Sequence, residues 1–160
     1  MNKKLLHKQL ILALEATHQD AVNAAKRAYN TATDNENIAE NKYDTLALEA
    51  SYLAQGQSQR VEACAKDLAA FQQLIISAGS SKSSVCLGSL VLLRDIDGND
   101  KYIFYGPSAG GLKVQFAEKE IVVVTPGSPL GAAINQLALG DEVSISVGNK
   151  VIEYEIANIY

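Results

Sequence analysis

The first 106 residues of the chain contain no proline, and the first 76 contain one glycine, Gly56. Proline breaks the interior of a helix and glycine weakens it, so a stretch without them is free to form long helices. Residues with high helix propensity, chiefly Ala, Leu, Gln, Glu and Lys, dominate the same stretch. The sequence therefore predicts long helices over roughly the first half of the chain.

Small and apolar residues in this half recur at alternating spacings of four and three, which is the seam of a coiled coil. The first series is Leu10, Leu14, Thr17, Ala21, Ala24, Ala28 and Thr31, and the second is Tyr43, Ala47, Ala50, Ala54, Gln57, Val61, Cys64, Leu68, Phe71 and Ile75. Between them, residues 33–37 are short polar residues that favour caps and turns. We expect an antiparallel coiled-coil hairpin over 1–77, with its first helix at 4–32 and its tip near 33–41.

The second half has a different composition. Residues 78–84 are small and polar and read as a linker, and residues 85–160 read as a separate β-rich domain. Strands are predicted at 85–93, 101–105, 112–116, 120–125, 142–147 and 151–159. Ser128 and Pro129 predict the start of one helix over 130–137, which Gly140 would end. The predicted fold class is α+β, a helical hairpin followed by a small antiparallel sheet with one short helix.

Charge limits the kinds of partner. Residues 1–78 contain eight Lys or Arg and nine Asp or Glu, and residues 79–160 contain six and nine. Neither half is basic, which disfavours direct nucleic-acid binding as the main source of affinity and favours a protein partner. No continuous apolar run predicts a membrane span, and Cys64 and Cys86 lack metal-site spacing, so we expect a cytoplasmic protein with reduced cysteines.

Two sets of polar residues bear on metal binding. His7 and His18 are too far apart on one helix to share a metal, and we expect both to be solvated. Glu36 and Glu40, four residues apart, would share a helical face near the tip.

Together with Asp34, these glutamates could supply part of a Mg²⁺ site to another macromolecule, but they are too few to hold the ion alone. An alternative is that Thr33 and Glu36 form a capping box at the start of the second helix.

Five segments carry a family resemblance: Glu-Asn-Ile-Ala-Glu-Asn-Lys-Tyr at 36–43, Gln-Gly-Gln at 55–57, Gly-Ser-Pro-Leu-Gly at 127–131, Leu-Gly-Asp-Glu-Val at 139–143 and Val-Ile-Glu-Tyr-Glu-Ile at 151–156. With them the chain resembles the bacterial Gre transcript-cleavage factors over nearly its whole length, most strongly from 128 onward. The resemblance implies that 85–160 is an FKBP-like domain. It would dock at the mouth of the RNA polymerase secondary channel, with Ser128, Pro129 and Leu130 in contact with polymerase.

The resemblance also implies a role for the tip. The coiled coil would enter the channel, where Asp34 and Glu36 would help to hold a Mg²⁺ ion shared with polymerase, supported by Asn37 and Glu40. Polymerase would then cleave backtracked RNA and resume extension. The chain would be an accessory factor rather than an enzyme and would bind no cofactor alone. As a monomer it would contact the RNA 3′ end and DNA only indirectly, without a membrane or small-molecule partner.

The tip departs from the Gre pattern at one position. The family usually has Asp three residues before its Glu-Asn pair, and here that position is Thr33, or Asn37 if Glu40-Asn41 is aligned instead. A Gre paralogue that regulates or inhibits polymerase without cleavage is therefore an alternative function. A third, which the FKBP-like fold alone suggests, is a prolyl isomerase or chaperone-type binding module.

Overall fold

The computed structural model describes residues 1–33, 45–76, 84–148 and 150–160. In those ranges the helices are α1 (Lys3–Thr33), α2 (Thr45–Gln73) and α3 (Pro129–Ile134), and the strands are β1 (Leu90–Asp95), β2 (Asp100–Tyr105), β3 (Lys113–Phe116), β4 (Lys119–Val124), β5 (Glu142–Val147) and β6 (Lys150–Ile159). They form two units, a helical unit of residues 12–69 and a sheet unit of residues 1–11 and 70–160. The predicted linker, 78–84, lies outside the described residues except for Ser84.

The helical unit consists of most of α1 and α2. Ala21 and Ala28, two predicted seam residues of α1, are 2% and 7% exposed. Residues of both helices, among them Val22 of α1 and Val61 of α2, line a shared groove of about 350 Å³. The two long helices are as predicted, and so is the burial of Leu14, Ala21 and Ala28 in the seam of α1. The prediction is wrong for two other seam residues: Thr31 is exposed, and Ile75 is 86% exposed and lies beyond the end of α2. None of the described helices is long and apolar enough to cross a membrane.

The sheet has six strands in the order β3-β4-β2-β1-β6-β5. Every neighbouring pair is antiparallel except β2 and β4, which are parallel. The parallel pair arises from the connection at residues 106–112. After β2, this connection skips one strand position before the chain forms β3, and β4 then fills the position between β2 and β3. Gly106 lies in this crossing, where a Cβ atom would approach Phe71 Cζ and Val123 Cγ1 to 2.9 Å.

Two predicted boundaries are wrong. The expected strand 85–93 begins only at Leu90, because the chain turns at Gly88, whose φ is +83°. Val85 instead donates its N–H to the Leu137 carbonyl at 2.8 Å. The short helix ends at Ile134 rather than at Leu137, because Asn135 has a ψ of 126°, which lies outside the helical region.

Apolar side chains cover both faces of the sheet. The face under α3 is buried in one cluster that includes Val91, Ile103, Ile134 and Ile156. On the other face, Phe104 stacks with Phe71 from the end of α2, their ring centroids 6.0 Å apart.

His7 lies at this second face, so the prediction that it is a solvated surface residue is wrong. Its ring stacks against Phe71 and Phe104, and its Nε2 lies 2.8 Å from the Phe71 carbonyl oxygen. That carbonyl belongs to the last turn of α2, so His7 caps the end of one helix from the start of another.

Candidate functional site

The loop before α3 is held rigidly by hydrogen bonds. The Ser128 hydroxyl donates to the Thr125 carbonyl at 2.8 Å and accepts from the Gly131 N–H at 3.0 Å. The Ser128 N–H also donates to the Thr125 carbonyl at 3.0 Å, and the Ala132 N–H donates to the Ser128 carbonyl at 2.8 Å. Ser128 is therefore the N-cap of α3, as its sequence position predicted.

The loop exposes two prolines and buries the leucine that follows them. Pro126, Gly127 and Pro129 are exposed, whereas Leu130 is 8% exposed and belongs to the core cluster with Ile134. Pro129 occupies the first turn of α3, where the missing N–H costs nothing. Of the three predicted contact residues, Pro129 is therefore the one whose side chain is presented at the surface, and Leu130 anchors the loop from inside.

A second rigid turn follows α3 at residues 138–141. The Asp141 carboxylate accepts from the Ala138 N–H at 2.7 Å, and the Gly140 N–H donates to the Ile156 carbonyl at 2.9 Å. Leu139, at the top of this turn, is 64% exposed. Leu139 is a candidate contact residue that was not predicted from the sequence. The signal was present, since Leu139 opens one of the segments that carry the Gre resemblance.

The predicted tip residues Asp34, Glu36, Asn37 and Glu40 lie outside the described residues. The structure does describe Thr33, the last residue of α1, where the resemblance expects an acid. Its hydroxyl donates to the Tyr29 carbonyl at 2.9 Å, one turn back in the same helix. The Thr33 hydroxyl therefore has a partner within α1, and Glu36, the other residue of the predicted capping box, lies outside the described residues.

Other chemistry-bearing groups are sparse in the part of the chain that the structure describes. No group of three or more His, Cys, Asp or Glu side chains within those residues could hold a metal ion. The Tyr105 hydroxyl is buried under α3 and has no hydrogen-bond partner among the described atoms. Burial raises the pKa of Tyr105, so its hydroxyl stays protonated at neutral pH.

No protein-family model and no curated protein sequence matches this chain. Among solved structures, GreA factor homolog 1 (Gfh1) of Thermus thermophilus is 18% identical, with a TM-score of 0.40 and 94% of each chain covered. Gfh1 of Thermus aquaticus is 17% identical, with a TM-score of 0.41, and covers 92% of this chain and 91% of its own.

The prokaryotic transcription elongation factor GreA/GreB of Nitrosomonas europaea is 18% identical, with a TM-score of 0.35, and covers 70% of this chain and 91% of its own. The solved structures to which this chain is similar thus include Gfh1 proteins and a GreA/GreB transcription elongation factor.

Proposed function

We propose that this chain is a transcription elongation factor that binds RNA polymerase at its secondary channel and stimulates Mg²⁺-dependent cleavage of backtracked RNA. The observation that carries the proposal is the loop 125–131. It presents Pro129 on a rigid base within the segment that most resembles the Gre factors. A loop that is ordered before binding loses little conformational entropy when a partner contacts it.

Docking in this proposal relies on apolar surface rather than charge. The exposed side chains of Pro126 and Pro129 form the contact, while Ser128 and Leu130 fix the loop that carries them. Leu139 adds a further exposed apolar side chain in the same unit.

The long helices supply reach in this proposal. Helix α1 has 31 residues, and at about 1.5 Å per residue it is roughly 46 Å long. Asp34 follows its last residue directly, and Glu36 and Asn37 come two and three positions later. Carboxylate and amide oxygens are ligands that Mg²⁺ prefers, and two carboxylates suit a site completed by another macromolecule. The ion, when bound, would polarise the RNA phosphate and activate the attacking water.

The test is release of short RNA from a stalled, backtracked polymerase complex. Wild-type protein should accelerate release, and the double variant Asp34→Ala, Glu36→Ala should lose about tenfold or more of the acceleration, as expected when metal ligands are removed. The matched control is Glu15→Ala, Asp20→Ala, which removes two exposed acids from α1 away from the tip and should leave the rate unchanged. Equal rates with the wild type and the tip variant would refute the catalytic assignment.

Thr33 favours a second candidate, a factor that binds the same channel and regulates or inhibits polymerase without cleavage. A threonine whose hydroxyl is bonded to Tyr29 cannot supply the carboxylate that the Gre pattern places at this position. This candidate predicts that the wild-type chain releases no RNA but displaces a cleavage-competent Gre factor from polymerase.

Polymerase affinity tests docking separately from cleavage. Pro129→Asp places a carboxylate on the docking surface, yet an acid in the first turn is compatible with the helix. We expect about tenfold weaker binding, with α3 intact by circular dichroism, because the buried carboxylate would lose its hydration. Leu130→Asp is unsuitable for this purpose, because Leu130 is a core residue. Unchanged affinity of the Pro129 variant would contradict the docking surface for both candidates.

A further inference from the structure

The two edge strands of the sheet, β3 and β5, differ in whether other groups contact their outer side. At the β3 edge, the Gln115 carbonyl accepts a hydrogen bond of 2.7 Å from the Gln9 side chain, and the Lys113 side chain is paired with Glu120 at 3.0 Å. The β5 edge has no such cover among the described residues. The β3 edge is thus partly blocked, whereas no hydrogen bond from the described residues blocks the β5 edge.

The pairing of β5 with β6 shows which backbone groups face outward. Val147 and Lys150 are partners next to the hairpin turn, and the Ile156 N–H donates to the Asp141 carbonyl at 2.9 Å. Because hydrogen-bonded positions alternate along an antiparallel pair, Val143 and Ile145 bond to β6. The N–H and C=O groups of Ser144 and Ser146 therefore point away from the sheet.

Natural sheet edges usually carry a device that blocks further pairing, such as lysine, proline or a bulge. After Glu142, the remaining five residues of β5 read Val-Ser-Ile-Ser-Val, with neither charge nor proline, and its register with β6 is regular. The strand is therefore able to accept another strand along most of its length.

The charged side chains beside the β5 edge indicate which kind of strand would bind there. A cleft of about 530 Å³ lies along β1, β6 and β5, and its acidic lining residues are Asp95, Glu142, Glu153 and Glu155. Its one basic residue, Arg94, already pairs with Asp100 at 2.8 Å.

Glu142 and Glu155 are direct cross-strand partners, an arrangement in which like charges repel. The β5 strand of a second copy has no basic side chain that would offset these acids. A strand with basic side chains would relieve it.

We propose that β5 binds an extended segment of a partner protein by strand addition, with lysine or arginine at alternate positions over Glu142 and Glu153. The partner's backbone pairs with Ser144 and Ser146, and the pleat places every second side chain on the same sheet face as these acids. This surface is additional to the docking loop of the proposed function, and its test does not need polymerase.

The probe is a fluorescent octapeptide of alternating lysine and valine, titrated into the full chain and followed by anisotropy. An octapeptide of alternating glutamate and valine should bind about tenfold more weakly or worse, because its charges face acids. Ser144→Pro removes one outward N–H and should weaken the lysine peptide by about tenfold, whereas Ser144→Ala keeps that N–H and should bind within about twofold of wild type. Equal binding by Ser144→Pro and wild type would overturn the proposal.

A second variant tests the charge argument without a change in the backbone. Glu142→Gln with Glu153→Gln should reduce the preference for the lysine peptide over the glutamate peptide by about tenfold. An unchanged preference would overturn the proposal even if Ser144→Pro failed to fold. Sedimentation velocity tests whether a second copy of the chain occupies the edge instead. If the chain self-associates, Ser144→Pro abolishes that self-association, and the lysine peptide does not bind, then the edge belongs to a second copy and the proposed basic partner is refuted.

Discussion

Replacing Gly131 by alanine tests whether the loop before α3 is as tightly held as its hydrogen bonds indicate. A Cβ atom at this position would lie 1.9 Å from the Thr125 carbonyl oxygen and 2.9 Å from Ser128 Oγ. The first distance is far inside van der Waals contact with a backbone atom, which cannot swing away as a side chain can. The loop must move by about an ångström or more to accept the methyl group.

The cost follows from what that movement breaks. Two hydrogen bonds end on the Thr125 carbonyl, and a third joins the Gly131 N–H to Ser128. Each is worth about 0.5–1.5 kcal/mol, and overpacking adds about 1–3 kcal/mol. We therefore expect Gly131→Ala to lower the free energy of unfolding of the sheet unit by roughly 3–7 kcal/mol, a large share of the total for a small domain.

The assay is equilibrium unfolding in guanidinium chloride, with hydrogen exchange to locate the change to residues 125–136. The matched control is Gly127→Ala in the same loop, where an added Cβ meets nothing within 4 Å and which should stay within about 0.5 kcal/mol of wild type. If Gly131→Ala is as stable as Gly127→Ala, the loop adapts easily, and the inference that it is a preorganised docking surface is wrong.

Three further changes have expected outcomes. Gly56→Ala should raise the free energy of unfolding of the helical unit by about 0.5–1 kcal/mol, because Gly56 lies inside α2 with open space around its Cβ position, and thermal unfolding measures the gain. Replacing Ala117 and Glu118 by Asn-Gly should raise the melting temperature of the sheet unit. Both residues have positive φ (50° and 60°) in the β3–β4 turn, which costs about 1 kcal/mol for each side chain, and Asn and Gly adopt positive φ more readily. Hydrogen bonds from the Asn99 side chain and N–H hold the pKa of Asp95 below its ordinary value of 3.8, so Asp95→Asn should reduce stability at neutral pH, and the difference from wild type should vanish as the pH falls below that value.

Each of these changes has a control. Ala63→Gly, at an exposed position of α2, should cost about as much as Gly56→Ala gains, and a stabilising effect there would contradict the propensity argument. Glu118→Ala alone keeps a side chain at positive φ and should leave the melting temperature unchanged. Asp97→Asn removes the same charge from the same turn, so an acid response equal to that of Asp95→Asn would point to net charge rather than to the Asn99 hydrogen bonds.

Local sequence patterns were sufficient to predict most of the secondary structure. The turn at Asp95 and the Gly148 hairpin were predictable, because turn residues with short polar side chains or no side chain flank alternating apolar runs. The N-cap at Ser128 was equally local, since cap, proline and helix are adjacent in sequence.

Long-range features were not predictable in this way. The parallel pairing of β2 with β4 depends on strand order, which side-chain alternation does not encode. His7 stands three positions before Leu10 and so continues the seam spacing of α1, but its ring partner Phe104 is 97 positions away in sequence, and the helix pattern alone does not identify that partner. Of the candidate site, the helix start at Ser128 was predicted from local sequence, but the burial of Leu130 follows from packing under α3 rather than from the motif.

The position of β6 has a consequence for how the protein is made. This strand lies between β1 and β5, and it is the last of the six strands to be synthesised. A nascent chain that ends at residue 148 therefore has β1, buried on both faces in the finished sheet, without one of its two neighbours. A chain truncated before Lys150 would leave that apolar edge of β1 permanently unpaired and would be prone to aggregate.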